Sequence, residues 1–300
     1  MTWPPLPFPA WQDTCDTLHM WTQIVGKTRL KLSPYWNHWW QSTLYVSARG
    51  LTTSTIPYDG KVFEIEFDFL QDRLTISVSD GQQQSIGLYP RSVADFYRDY
   101  LSALKAAGID VSISTMPQEV PNPIPFEQDQ THASYDRGAV ERFWRTLINL
   151  DCLFKQHRSN FIGKSSPVHF FWGSFDLALT RFSGRISPPR EGADIVTREA
   201  YSHEVISCGF WPGGSTFPYA ALYAYAAPAP AGFDAVQVSP PAAFYSREMG
   251  EYFLKYDDVR SAPSPEQAVL DFCRTTYEQA ATLAHWDRAA LEHQTRKTTA

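Results

Sequence analysis

The 300-residue chain is predicted to adopt an α+β fold. Two repeats of a helix–antiparallel strands–helix unit would form a pseudo-symmetric sheet with helices on one face. Three observations predict this. The two halves match each other in order, the hydrophobic periodicity alternates between helical and strand spacing, and hairpin-type turn signals separate strand candidates.

The internal match begins at a shift of 133 residues. Trp11 falls on Trp144, Gln23 on Gln156, Lys31 on Lys164, Ser33-Pro34 on Ser166-Pro167, Trp39 on Trp172 and Leu44 on Leu177. Glu64-Ile65 then matches Glu204-Val205 at 140, and Val93–Arg98 matches Val269–Arg274 at 176. The growing shift assigns an insertion to the second half.

In the first half, Trp11, Leu18, Trp21 and Val25 fall at helical spacing within 10–28. Strands are expected near 36–48, 61–69, 73–79 and 84–89, with Asp80-Gly81 as a hairpin turn. A helix over 91–107 starts after Pro90 and stops at Gly108. In the second half, a helix is expected over 137–160, strands near 168–182, 202–210, 219–227 and 250–257, and a helix over 264–286. Ser264, Pro265 and Gln267 form a capping-box-like start for the last of these. The expected organisation is a first repeat at 1–107, a Pro-rich connector at 108–138, a second repeat at 139–288 and a tail at 289–300. A lid-like insertion rich in Gly, Pro, Ala and Tyr would occupy about 208–250.

Composition narrows the function classes. Apolar residues make up 43% and aromatic residues 15%, enough for a large core and too much for general disorder. A net charge of −6 without a clustered basic patch argues against nucleic-acid binding; Arg296-Lys297 is too short to count. The N-terminus, MTWPPLPFP, has neither the basic nor the apolar region of a signal peptide, and no apolar run is long enough to span a membrane. Cys15, Cys152, Cys208 and Cys273 are far apart and form no CxxC pair, so reduced thiols in a cytoplasmic protein are the expectation. Neither a metal nor another cofactor is expected, since HExxH, EF-hand and P-loop patterns are absent. Oligomeric state is not readable.

Strand alternation separates two faces. Trp36, His38, Trp40, Leu44 and Val46 would share one face in the first half, and His169, Phe171, Phe175, Leu177 and Leu179 its equivalent in the second. Trp172, Ser174 and Asp176 would lie opposite. On the next strand, Glu204 and Cys208 are assigned to the same pocket, with Trp211 at the start of the insertion that would cover it. Aromatic surface with a few polar groups suits a small-molecule pocket. Asp176 and Glu204 are the candidate catalytic pair, a general acid and base if buried close together; a structural network with Arg181 or Arg185 is the alternative. Trp172, Ser174, Cys208 and Trp211 are the candidate ligand contacts. His169 and His203 could meet on neighbouring strands, but their alternation points both toward the helices, as satisfied buried histidines. Arg181 falls on the strand face opposite Asp176. No GxSxG motif supports Ser174 as a nucleophile, and Cys208 is more simply an inert thiol.

The stretches SPVHFFWGSFDLALTRFSGR (166–185), YSHEVISCGFWPGG (201–214) and ALYAYAAPAPAGF (221–233) resemble a family of uncharacterised bacterial proteins catalogued as a domain of unknown function. The similarity spans about 9–288. It implies that His169, Trp172, Asp176, Arg181, His203, Glu204 and Trp211 are signature positions, and it brings no activity. The expected function is that of an enzyme or binding protein for a small organic molecule in the lidded second repeat. The alternative is a non-catalytic interaction module that uses an aromatic sheet face.

Overall fold

The computed structural model describes residues 1–293. Helix α1 (Gln12–Leu32) buries Leu18, Trp21 and Val25 of the stripe read from the sequence, together with Ile24; Trp11, the remaining member, is buried just before the helix. A 3-10 segment (Asn37–Ser42) follows, then strands β1 (Tyr45–Val46), β2 (Gly50–Thr52), β3 (Ile56–Tyr58), β4 (Lys61–Asp68), β5 (Arg73–Val78) and β6 (Gln83–Gly87). Helix α2 (Val93–Ala106) starts where the Ser92 side chain accepts a hydrogen bond from Asp95 N–H. The connector crosses to α3 (Arg137–Ser159), capped by Asp136, and drops Ile109 and Phe126 into the core on the way.

The second half continues with β7 (His169–Phe171), β8 (Asp176–Ile186), the short helix α4 (Ile195–Ala200), β9 (His203–Trp211), β10 (Ala221–Ala227), β11 (Phe244–Ser246) and β12 (Glu251–Lys255). Helices α5 (Tyr256–Arg260), α6 (Pro265–Leu283) and α7 (Arg288–Leu291) complete it. The expected cap is present: Ser264 accepts from Gln267 N–H, with Pro265 at the first helical position. Of the tail expected at 289–300, residues 294–300 lie outside the described residues.

The strands form two six-stranded antiparallel sheets, so the fold is α+β. One runs β1-β2-β4-β5-β6 with β3 beside β4; the other runs β11-β12-β10-β9-β8-β7. The sheets meet where Leu44 and Phe170 exchange two backbone hydrogen bonds of 2.8 Å. The long helices cover one face of both sheets. Trp21, Phe96, Phe143 and Phe272 from these helices join Phe67, Leu177, Phe210 and Leu222 from the strands in a single apolar cluster. Each such side chain contributes roughly 1.5–3 kcal/mol on burial, which is what fixes strand facing.

Two strand expectations fail. The aromatic run 36–48 is a strand only at its end. His38 and Trp39 have φ of 58° and 61°, so the chain coils and places Trp40 against Phe182 of the second sheet. The expected strand 168–182 is a hairpin, with Trp172-Gly173-Ser174-Phe175 as its turn and Phe175 at φ 59°. In both places the two-residue strand period fails because the residues are not extended.

The segment expected as a lid is also placed differently. Residues 221–227 form β10, an interior strand bonded to β9 and β12. The stretch after it packs on the helix side, where Phe233 is buried and Ser239 N–H donates to Thr275 Oγ1 of α6 at 2.9 Å. Strand β10 is central because Leu222, Ala224 and Ala226 are small or apolar inward residues in a row.

Candidate functional site

The outer face of the second sheet, away from the long helices, carries the polar groups. The register pairs Leu179 with Cys208 and Leu222 with Phe210, all inward. Asp176, Thr180, Ser207, Tyr223 and Tyr225 therefore point outward. Tyr225 is followed across the sheet by Glu251, because Tyr223 pairs with Phe253.

Asp176 is the centre of this face. Only 7% of it is exposed. Ser174 Oγ–H donates to its Oδ1 and Tyr223 O–H to its Oδ2. Tyr223 reaches it by lying across Gly209, its cross-strand partner. A Cβ at 209 would overlap the Tyr223 ring and stand 2.6 Å from Leu177 O. Tyr223 and Tyr225 stack at 6.2 Å, and the Tyr225 and Tyr201 hydroxyls share a hydrogen bond of 3.1 Å. Beyond them, Thr180 and Ser207 share one of 3.0 Å.

Two further carboxyl groups face Asp176. Burial and the Asp176 charge push Glu251 up to about 7. The same two causes raise Glu119, with Asp194 adding to them. Asp176 is itself raised by burial, against the lowering effect of its two hydroxyl donors. Among the described residues none of the three has a cationic partner within 4.0 Å. This is the arrangement in which burial and neighbouring carboxyls favour the protonated form.

Glu119 comes from the connector, where it adopts φ 57°. Its carboxyl lies against Gly173; a Cβ there would stand 2.5 Å from Oε1. Helix α1 holds both pieces through residues four apart. His19 Nε2 donates to Gly173 O at 2.8 Å, Gln23 exchanges hydrogen bonds with the Gln118 backbone at 2.8 and 2.9 Å, and Lys27 donates to Met116 O. Burial depresses His19 to about 4, so the imidazole is neutral, and lowers Lys27 to about 8.

The residues singled out from the sequence do not all meet. Asp176, Ser174 and Trp211 lie together: the register sets Leu177 beside Phe210, hence Asp176 level with Trp211. Glu204 and Cys208 do not join them. They alternate with outward Val205 and Ser207, so Cys208 points to the helices and Glu204 pairs with Arg185 at 2.7 Å near the end of α6. Asp176 and Glu204 lie on opposite faces and cannot act as a pair. Trp172 is a packing residue, its indole against Gly26 and its Nε1–H donating to Ser42 O at 2.6 Å. His169 and His203 share a face, but it is the outer one. His169 is enclosed by Trp40, Tyr45 and Phe171, and burial depresses it to about 3. His203 lies 5.9 Å ring to ring from His38. Arg181 is inward and buried, on the face opposite Asp176.

Sequence reasoning missed Tyr223, Tyr225, Glu251, Glu119 and His19. The alternation in ALYAYAA (221–227) was the available signal for the two tyrosines. Nothing local marks Glu119, which the connector delivers from far along the chain. No group of three or more His, Cys, Asp or Glu among the described residues is arranged to hold a metal ion.

Residues 3–293 match the family of unknown function DUF5996. The chain belongs to that family. The match takes in both sheets, the connector and every residue around Asp176. No curated protein matches the chain, and no solved structure does either. No helix among the described residues is long and apolar enough to cross a membrane.

Proposed function

We propose that the outer face of the second sheet binds a small organic molecule bearing a cationic group, with Asp176 and Glu251 receiving it. One observation carries the reading: three carboxyl groups converge with no cation among the described residues to neutralise them. Unpaired buried carboxyls are costly, and a fold keeps such an arrangement where function requires it. The stacked Tyr223 and Tyr225 rings add faces suited to a cation. Glu251, held near neutrality, is also poised to exchange a proton with a bound amine.

Thermal unfolding against a panel of amines and guanidines, with neutral and anionic isosteres as controls, tests this. Cationic compounds should raise the midpoint by several degrees, and Asp176→Asn or Glu251→Gln should remove the response. No response to any cation, or an equal response to the isosteres, overturns the reading.

A second reading is a non-catalytic interaction surface. It is favoured by a patch beside this face in which Tyr35 is 63%, Trp36 45% and Ile195 64% exposed, with Tyr35 O–H bonded to Glu199 of α4. Mass measurements over rising concentration would reveal self-association through it.

A further inference from the structure

Arg181 projects from the inner face of β8 and is 4% exposed. Its guanidinium lies 4.2 Å from the centre of the Tyr277 ring and 5.0 Å from that of Phe161. One terminal nitrogen donates to His157 O. Its Nε has no partner, and among the described residues no carboxylate lies within 4.0 Å of it. The one carboxyl group among those acting on it, Glu292, is already bonded to Tyr277 O–H at 3.0 Å and Arg288 Nε at 2.5 Å.

The guanidinium borders a cavity of about 10 Å³, lined also by His157, Cys208, Cys273, Thr276 and Tyr277. No acidic residue lines it. Burial keeps His157 neutral, and the neighbouring Cys208 thiol together with burial pushes the Cys273 thiol up, so neither ring nor thiolate supplies a counter-charge. A buried cation without a counter-charge calls for one, and thiol S–H groups and the free Nε–H offer donors to receive it. The space suits about one water-sized sphere. Oxyanions such as phosphate and sulfate are too large.

We propose that this cavity is a binding site for a single chloride ion, held by Arg181 between β8, β9 and α6. The ion would neutralise the guanidinium in the folded state only, so the folded protein gains stability from chloride. This site is on the helix side of the sheet, independent of the carboxyl-rich outer face.

Two measurements on the full chain decide it. In crystals grown in bromide, an anomalous peak should appear in the cavity beside Arg181; a peak-free cavity or an ordered water overturns the proposal. In solution, the unfolding midpoint should rise by roughly 2–4 °C for each tenfold increase in chloride above its dissociation constant, measured against gluconate at matched ionic strength. Cys208→Val, which fills the cavity while preserving the core, should abolish the chloride–gluconate difference, as should Arg181→Met. An equal chloride response in folded Cys208→Val would place the ion elsewhere and overturn the assignment. Loss of the response in either folded variant, with amine binding unchanged, separates this site from the outer-face reading.

Discussion

The outer faces of the two sheets are both rich in carboxyl groups and are treated in opposite ways. On the first sheet, every acidic side chain of β4 finds a partner. Glu64 accepts from Thr52 O–H, Glu66 from Ser47 O–H at 2.6 Å, and Asp68 lies 2.8 Å from Arg49 and 3.7 Å from Arg73. Asp68 also accepts from the Leu70 and Gln71 N–H groups, closing the turn after β4. On the second sheet, Asp176 has hydroxyl donors only, and Glu251 and the connector's Glu119 each face it with no cation within 4.0 Å among the described residues. The first arrangement ties an interior strand to the turns and strands beside it. The second gathers carboxyl groups at one place without a cation, which a stability requirement alone does not explain.

The largest expected effect tests that contrast directly. Asp68→Ala removes a buried carboxylate shared by two arginines and two backbone donors, and should cost about 3 kcal/mol in chemical denaturation. Asp176→Asn replaces a carboxyl that has no cationic partner and should stay within about 1 kcal/mol of wild type at neutral pH. Equal, large losses would erase the distinction and make Asp176 structural. Gly209→Ala should come next. Its Cβ overlaps Tyr223, so the ring must leave Asp176, and overpacking of this kind costs about 2 kcal/mol.

The pH dependence separates the faces further. Glu251 has a folded value of about 7, above its ordinary 4.5. Between those values the unfolded chain has released the proton that the folded protein retains. The stabilisation is complete below about pH 4.5 and is lost as pH rises through about 7. For this half-buried group the loss should be roughly 2 kcal/mol. Wild type minus Glu251→Gln, followed by denaturation from pH 4 to 8, should show it. A difference that is flat with pH would mean that Glu251 titrates normally.

The sequence was most legible where burial enforces a period. The inward stripe of α1, the Asp80-Gly81 turn and the Ser264 cap are present as read. It was least legible where two readings differ by one residue. The match of Glu64-Ile65 to Glu204-Val205 aligns an outward residue with an inward one, and a one-residue slip moves a whole strand to the other face. That slip placed Glu204 and Cys208 in the pocket. Helix α3 begins 125 residues after α1, at 137 against 12, and β7 follows β1 by a similar interval. We propose that the halves are copies of one unit in this shifted register; superposing 9–107 on 139–286 should bring α1 onto α3 and β1 onto β7, not Trp39 onto Trp172. Asp176 itself is legible through alternation along 168–182, which holds from 176 onward because Leu177 and Leu179 are buried inward. Its true neighbours come from β10, β12 and the connector, contacts that no local pattern encodes.

The smallest expected effect isolates the chemistry around Asp176. Tyr223→Phe keeps the ring over Gly209 and removes only the hydroxyl that donates to Oδ2. A hydrogen bond to a charged group contributes about 1.5 kcal/mol, more when the alternative is an unsolvated carboxylate. The matching change on the first sheet, Thr52→Val, removes a hydroxyl from Glu64, a less buried carboxylate that water can reach, and should cost no more than about 0.5 kcal/mol. The two should also differ in pH response. The Tyr223 donor lowers Asp176 against the upward pull of burial, so without it Asp176 binds its proton more tightly in the folded state. The cost of Tyr223→Phe should therefore grow as pH rises and Asp176 ionises, and shrink in acid where it is protonated. Replacing the ionisable carboxyl by a neutral amide, Asp176→Asn, in the same chain should cancel that pH-dependent part. If the cost of Tyr223→Phe is the same at pH 4 and pH 8, the hydroxyl is not holding a carboxylate, and the contrast between the two faces reduces to packing.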